Sequence, residues 1–411
     1  MIRRITRALA CLAMAGLVGS CGLADADDGR TTIEFFQFKP EGIEAFDRII
    51  AGFEREHPNI RVVQNHVPDA DTALRTRLVR EDMPDVIALN AGATWKELAP
   101  TGIFYDFAGE PVAEQVSPTY QTIVNDLGTA APGEVNGIPF VANGDGVLYN
   151  KKLFAEHGVA VPRTWDELIA AAQTFRDAGI TPFYGTIKDA WTVLAAWNAL
   201  SAYLPPTEFF DRLAADQASF RDDFQPVAQR LTQLFDLAQP DKAARGYNDG
   251  NEAFAKGEVA MYLQGTWTLP SVREFKPGFD IGIFPMPTDD PAKAVLVSGV
   301  DVAFTMAREP EHKRESLAFI SYVMRPDVVT AYAEDQSAVP ALRDKLPTDP
   351  GLADLIPYIE QERLVGFADH NIPPAIPLDR ITQQYLIDGD QAGYLSTLDK
   401  EWDKVARRRS R

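Results

Sequence analysis

The chain is 411 residues long, with 45 % apolar and 24 % charged residues. That balance supports a sizeable core and excludes disorder, collagen and coiled coil as descriptions of the whole chain. Its 59 acids outnumber its 40 bases, a formal charge of −19, which repels phosphate backbones and anionic headgroups and argues against nucleic-acid binding.

The N-terminal segment reads as an export signal. Met-Ile-Arg-Arg-Ile-Thr-Arg is a positive lead, and Ala8 to Gly19 is apolar and uncharged. That stretch is too short for a permanent span but suits a signal core. It ends Leu17-Val18-Gly19-Ser20-Cys21. Small residues before a cysteine resemble the bacterial lipobox, which implies cleavage before Cys21 and acylation of its thiol. The only other cysteine is Cys11. The body therefore has no disulfide, no zinc-thiolate site and no cysteine nucleophile. Residues 21–30 form a short polar tether.

Strands and helices then alternate, which predicts α/β layering. Thr31 to Phe38 is strand-like. Glu41 to His57 is helical, with Ile43, Phe46, Ile49, Ile50 and Phe53 at helical spacing. Ile60 to Asn65 is a strand, Thr72 to Arg80 a helix and Asp85 to Leu89 a buried strand, a βαβαβ order that makes a parallel sheet. Gly137 to Asn150 reads as two extended runs around a Gly-Asp-Gly bend. Thr164 and Glu167 form a capping box before the helix Leu168 to Ala178. Helical stretches continue through Ala238. Asn251 to Lys256 is a helix, followed by strands at Val259 to Leu263, Phe279 to Phe284 and Val300 to Met306. Pro310 to Met324 is a helix, and the remainder is helical with Pro-rich loops. No other apolar run approaches spanning length.

A P-loop, a complete GxGxxG, HExxH and GxSxG are all absent. The five histidines, His57, His66, His157, His312 and His370, show no metal-ligand spacing, so neither a metal nor a cofactor is expected. No acid/base pair stands out locally among the many carboxylates, and no catalytic residue is assigned. What recurs is aromatic residues beside polar ones at strand ends. The sets are Phe36 to Lys39, Asn90 to Trp95, Trp191, Trp197-Asn198, Tyr247 to Asp249, Gln264 to Trp267 and Phe367 to His370. A sugar presents an apolar C–H face and a rim of hydroxyls, so a site for it needs flat aromatic surfaces with amides and carboxylates around them. Any single Trp is more simply a core residue. Strand-end placement favours Trp95 and Trp267 as exceptions.

Several ordered segments carry a resemblance. FEREHPNI is followed by DVIAL, then GIPFVANGDGVLYNKKLFAEHGV and PRTWDEL, and later NEAFAKGEVAMYLQGTW, FDIGIFPMP and AFISYVMRPDV. Together with the lipobox they resemble the solute-binding lipoproteins of bacterial ABC sugar importers, the family that includes the maltose-binding type. The resemblance implies an α/β, two-lobed periplasmic-binding-protein-like fold with hinge strands and a ligand cleft between the lobes. Its lobes would be residues 31–144 plus 286–323 and residues 145–285 plus 324–405. Hinges would lie near Asn143 to Val147, Gly282 to Pro287 and Ser321 to Pro326. It implies a monomer without catalytic activity, held by a lipid anchor at the outer face of the cytoplasmic membrane and delivering a carbohydrate to ABC permease subunits.

Within that family the chain is most similar to binders of α-galactosides of the raffinose and melibiose kind. The matching residues are Lys39, Asn90, Trp197, Phe367, Asp369 and His370. Trp267 joins them as a stacking platform, although Gly265-Thr266-Trp267 departs mildly from the Gly-Pro-Trp or Gly-Ser-Trp of many relatives. Asp145 and Asp301 join as partners for hydroxyls. The alternatives are an exported glycosidase using the same cleft and a binder of a non-sugar solute such as glycerol phosphate.

Overall fold

The computed structural model describes residues 29–67 and 70–409, so the export signal and Cys21 lie outside the described residues. The strands follow in chain order: β1 (Thr31–Gln37), β2 (Ile60–His66), β3 (Val86–Leu89), β4 (Ile138–Ala142), β5 (Asp145–Asn150) and β6 (Thr181–Tyr184). Then come β7 (Val259–Gly265), β8 (Ile281–Phe284), β9 (Leu296–Val297), β10 (Val300–Thr305), β11 (Val339–Pro340) and β12 (Leu364–Val365).

The first sheet runs β11-β4-β10-β3-β1-β2. Its β3-β1-β2 portion is parallel, as the βαβαβ order requires, with Thr31 opposite Ile60 and Phe35 opposite Val86. Helices cover both faces, and the successive Phe35 and Phe36 of β1 are both fully buried on opposite ones. Phe35 points to one side, where its ring lies 5.0 Å from Phe46 and 5.4 Å from Phe319. Phe36 points to the other, into a cluster with Ile87 and Trp95. The second sheet runs β6-β7-β5-β8 and is backed by a core drawn from residues 147–286 and 368–405. The Thr164 capping box is present: Thr164 Oγ1 accepts from the Glu167 amide at 3.2 Å, and Glu167 accepts from the Thr164 amide at 3.3 Å.

The two extended runs within Gly137 to Asn150 are not a hairpin. β4 pairs with β10 and β11 in the first sheet, and β5 pairs with β7 and β8 in the second. Asn143-Gly144 is thus a crossing between lobes, and Asp145 already belongs to β5. The second crossing leaves β8 at Phe284 and passes through β9 into β10. The third is displaced from the expected Ser321 to Pro326. That stretch only turns helix Lys313–Val323 into helix Pro326–Gln336, and both pack on the first lobe. Tyr332 stands 5.0 Å from Phe46 and 4.7 Å from Phe140, ring to ring. An Arg-Pro break between two helices looks the same in sequence whether the chain changes lobe or merely turns. The burial of Val329, Tyr332 and Ala333 against the first sheet decides for the turn, and the crossing lies beyond Pro340, on the way to β12.

Candidate functional site

The crossings bring strand ends from both lobes around a cavity of about 440 Å³, within the roughly 300–1,000 Å³ range of small-molecule sites. From the first lobe come Phe38 and Lys39 just after β1, Asn90 just after β3, and Asp301. Asp301 sits where the β10–β4 register shifts between Val300 and Val302. A bulge frees a residue from the ladder and re-aims its side chain. Here the freed carboxylate meets Lys39 Nζ at 2.5 Å, and Glu41 flanks the same ammonium at 3.1 Å. Burial opposes charge on Lys39, but Asp301 and Glu41 outweigh it and hold its pKa above the usual lysine value. Asn90 Nδ2 donates to the Asp301 carbonyl at 3.3 Å.

The opposite wall is aromatic. Trp267 follows β7 and Phe367 follows β12; their ring centroids lie 6.2 Å apart, and Phe367 is 5.5 Å from the His370 ring. Two glycines make room for these rings. A Cβ on Gly265 would fall 1.9 Å from the Trp267 indole, and one on Gly299 would fall 2.7 Å from the Phe367 ring. Trp267 Nε1 donates to Gln264 Oε1 at 3.2 Å, which fixes the indole plane. Asp369 is held by its backbone amide, which donates to Asn198 Oδ1 at 2.9 Å. Burial lowers the pKa of His370, with Asp369 opposing and Lys96 assisting, so the imidazole is neutral at neutral pH.

Seven of the nine residues expected at the site therefore line one cavity: Lys39, Asn90, Trp267, Asp301, Phe367, Asp369 and His370. Two do not. Trp197 is 0 % exposed; it stacks on Phe224 at 5.7 Å and donates its indole N–H to Tyr394 Oη at 3.0 Å. Its side of helix Val193–Ser201 faces the lobe core, which corrects its assignment as a platform. Its neighbours Leu194, Ala195 and Asn198 face the cavity instead. Asp145 is 2 % exposed and lies behind the wall, which likewise removes it from the lining. Trp191, 45 % exposed beside Tyr247, Asn143 and Glu41 also line the cavity. Trp191 stands in one of the aromatic sets seen in the sequence. Asn143 and Glu41 carry no local signal, because the chain crossing and the pairing with Lys39 place them. Among the described residues no group of three or more metal-ligating side chains forms, and no helix is long and apolar enough to cross a membrane.

Comparison with known proteins agrees with this geometry. The family model described as bacterial extracellular solute-binding protein matches residues 39–330. The chain belongs to that family. A multiple sugar-binding protein of Streptococcus mutans is 30 % identical over 335 residues, 77 % of each chain. The melibiose/raffinose/stachyose-binding protein MelE of Bacillus subtilis is 22 % identical over 330 residues, 76 % of this chain and 75 % of its own. The solved structure of RafE in complex with raffinose superposes with a TM-score of 0.77 at 26 % identity, covering 92 % of this chain and 100 % of that one. The solute-binding family is one of carriers, so this solute-binding protein captures a ligand without transforming it, and the glycosidase alternative falls away.

Proposed function

We propose that this solute-binding protein captures a neutral oligosaccharide, an α-galactoside of the raffinose class, and delivers it to the permease of an ABC importer. The observation that carries this reading is the pairing of walls across one cavity. Trp267 and Phe367 offer flat apolar faces, and Lys39, Asp301, Asn90, Asp369 and His370 offer donors and acceptors opposite and beside them. A sugar ring needs both at once. The single lysine is already matched by Asp301 and Glu41, so the wall holds little unspent positive charge for a phosphate. That disfavours glycerol phosphate. The relatives named above as binders of melibiose, raffinose and stachyose support the substrate class.

The same reading has the protein exported and acting as a monomer tethered through an acylated Cys21. One acyl chain holds poorly and several hold durably, so Cys21→Ala should move the protein to the soluble fraction. Unchanged membrane association would remove the anchor from the account. The sugar assignment is tested by thermal shift against raffinose, stachyose, melibiose, maltotriose and glycerol 3-phosphate. A ligand that binds the folded state raises the melting temperature. The α-galactosides should raise it most; a shift with glycerol 3-phosphate alone would replace the sugar reading with the phosphate one.

A further inference from the structure

Asp145 opens β5 at the first crossing between lobes and is 2 % exposed. Neither of its carboxylate oxygens has a hydrogen-bond partner of good geometry among the described residues, and the same holds for Oδ1 of Asp369 at the cavity wall. A buried ionised carboxylate left in this way is far costlier than a neutral acid. Among the described residues no cation compensates it. Opposite Asp145 in β7 is Gly265, with Gln264 next to it; the titratable residue of that strand is Tyr262, which pairs with Leu148. The partners in β8, the adjoining β9 and helix Val193–Ser201 carry no titratable side chain. The charged group that faces Asp145 is Asp369, beside which His370 Nε2 stands 3.8 Å from Oδ1. Lys39 is engaged with Asp301 and Glu41.

We infer that Asp145 is a positioning residue that works as a neutral acid: it holds a proton behind the cavity wall and so sets no second negative charge beside Asp369, whose side chain is left to accept hydroxyl hydrogen bonds from the ligand. Two ionised carboxylates in one dry site repel, and closing the lobes over a ligand removes the water that would screen them. Burial is the main cause that pushes Asp145 well above the usual carboxylate range; Asp369 adds to it, and the Gly146 amide offsets only part. The inference rests on the sugar-site reading for its consequence, but not for the proton itself.

The experiment compares the parent with Asp145→Asn, the neutral isostere. Without ligand, the ratio of the folding constants, variant to parent, should grow about tenfold per pH unit above about pH 4, because the native parent retains a proton that the unfolded chain loses. Infrared spectra at pH 7 should show a protonated carboxyl stretch in the parent that is missing in the variant. This readout on the parent alone decides the matter should the variant fail to fold. Raffinose affinity at pH 7 should agree within about threefold between the two. A folding ratio independent of pH, no protonated carboxyl at pH 7, or a folded variant that has lost sugar binding would each overturn the inference. So would a rise in parent melting temperature with sodium or calcium at constant ionic strength that the variant lacks, since a cation would then be neutralising the pair. If no sugar binds either protein, the functional reading fails, while the folding and infrared results still decide the proton.

Discussion

Lys39 and Asp301 are 262 residues apart and meet at 2.5 Å in the wall of the cavity. The contact ties the end of β1 to the bulge of β10 across the end of β3, so one ion pair both links the two strands that flank β3 and places polar groups in the cavity wall. Lys39→Met removes the cation and leaves Asp301 buried without it. Breaking a buried pair from one side typically costs about 3–5 kcal/mol, and urea denaturation should read a loss near the lower end because Glu41 is partly in solvent. Between pH 6 and pH 10 the pair's contribution should stay constant. A lysine whose native pKa is raised contributes fully below its unfolded value and loses that contribution as pH rises towards the native one.

Two tryptophans separate platform from core. Trp267→Ala should weaken sugar binding at least about tenfold, ~1.4 kcal/mol, with little change in ligand-free melting. Trp197→Ala should do the reverse. Its side chain fills the second core, and such deletions cost about 3–5 kcal/mol, while the affinity of the molecules that remain folded should hold. Calorimetry and thermal melting on both variants check the contrast, and an exchange of the two phenotypes would refute the placement.

The contrast also shows how far the sequence is legible. Strand-end placement brings Lys39, Asn90 and Trp267 to the cavity, because in open α/β sheets the carboxyl ends of strands converge; Trp95, favoured on the same ground, is instead fully buried in the first lobe's core. Trp197 and Trp191 differ in a way no local pattern reveals. Helix Val193–Ser201 is apolar on nearly every side, and the packing of Phe224 and Tyr394 decides which face turns inward. The third lobe crossing is hidden for a similar reason. Its position depends on Tyr332 meeting Phe46 and Phe140, residues more than 190 positions away in sequence. β11 and β12, of two residues each, are too short to leave a periodic trace.

Gly299→Ala tests the aromatic wall without touching an aromatic residue. The added Cβ would stand 2.7 Å from the Phe367 ring, so the ring must shift. Sugar affinity should fall by about tenfold, ~1.4 kcal/mol. Circular dichroism and cooperative melting should show the fold retained.

His370 gives the acid limb of the stability profile. Its native pKa lies below the unfolded value of about 6.5 because burial disfavours the imidazolium. The native state therefore binds fewer protons than the unfolded chain, and stability is lost as pH falls below about 6.5 towards the native value. The stability difference between the parent and His370→Gln should therefore rise with pH from pH 5 to pH 6.5 in denaturant titrations, on top of the opposite dependence that Asp145 contributes to both proteins. A difference that does not vary with pH would show that burial does not lower the His370 pKa.

Uptake of a neutral oligosaccharide by the cavity between Trp267 and the Lys39–Asp301 pair is read by isothermal titration of the purified protein with raffinose, with Trp267→Ala run alongside. The parent should show saturable one-to-one binding, the variant at least about tenfold weaker binding, and raffinose should be recovered intact afterwards. Absence of binding by the parent, or equal binding by the variant, would contradict that uptake.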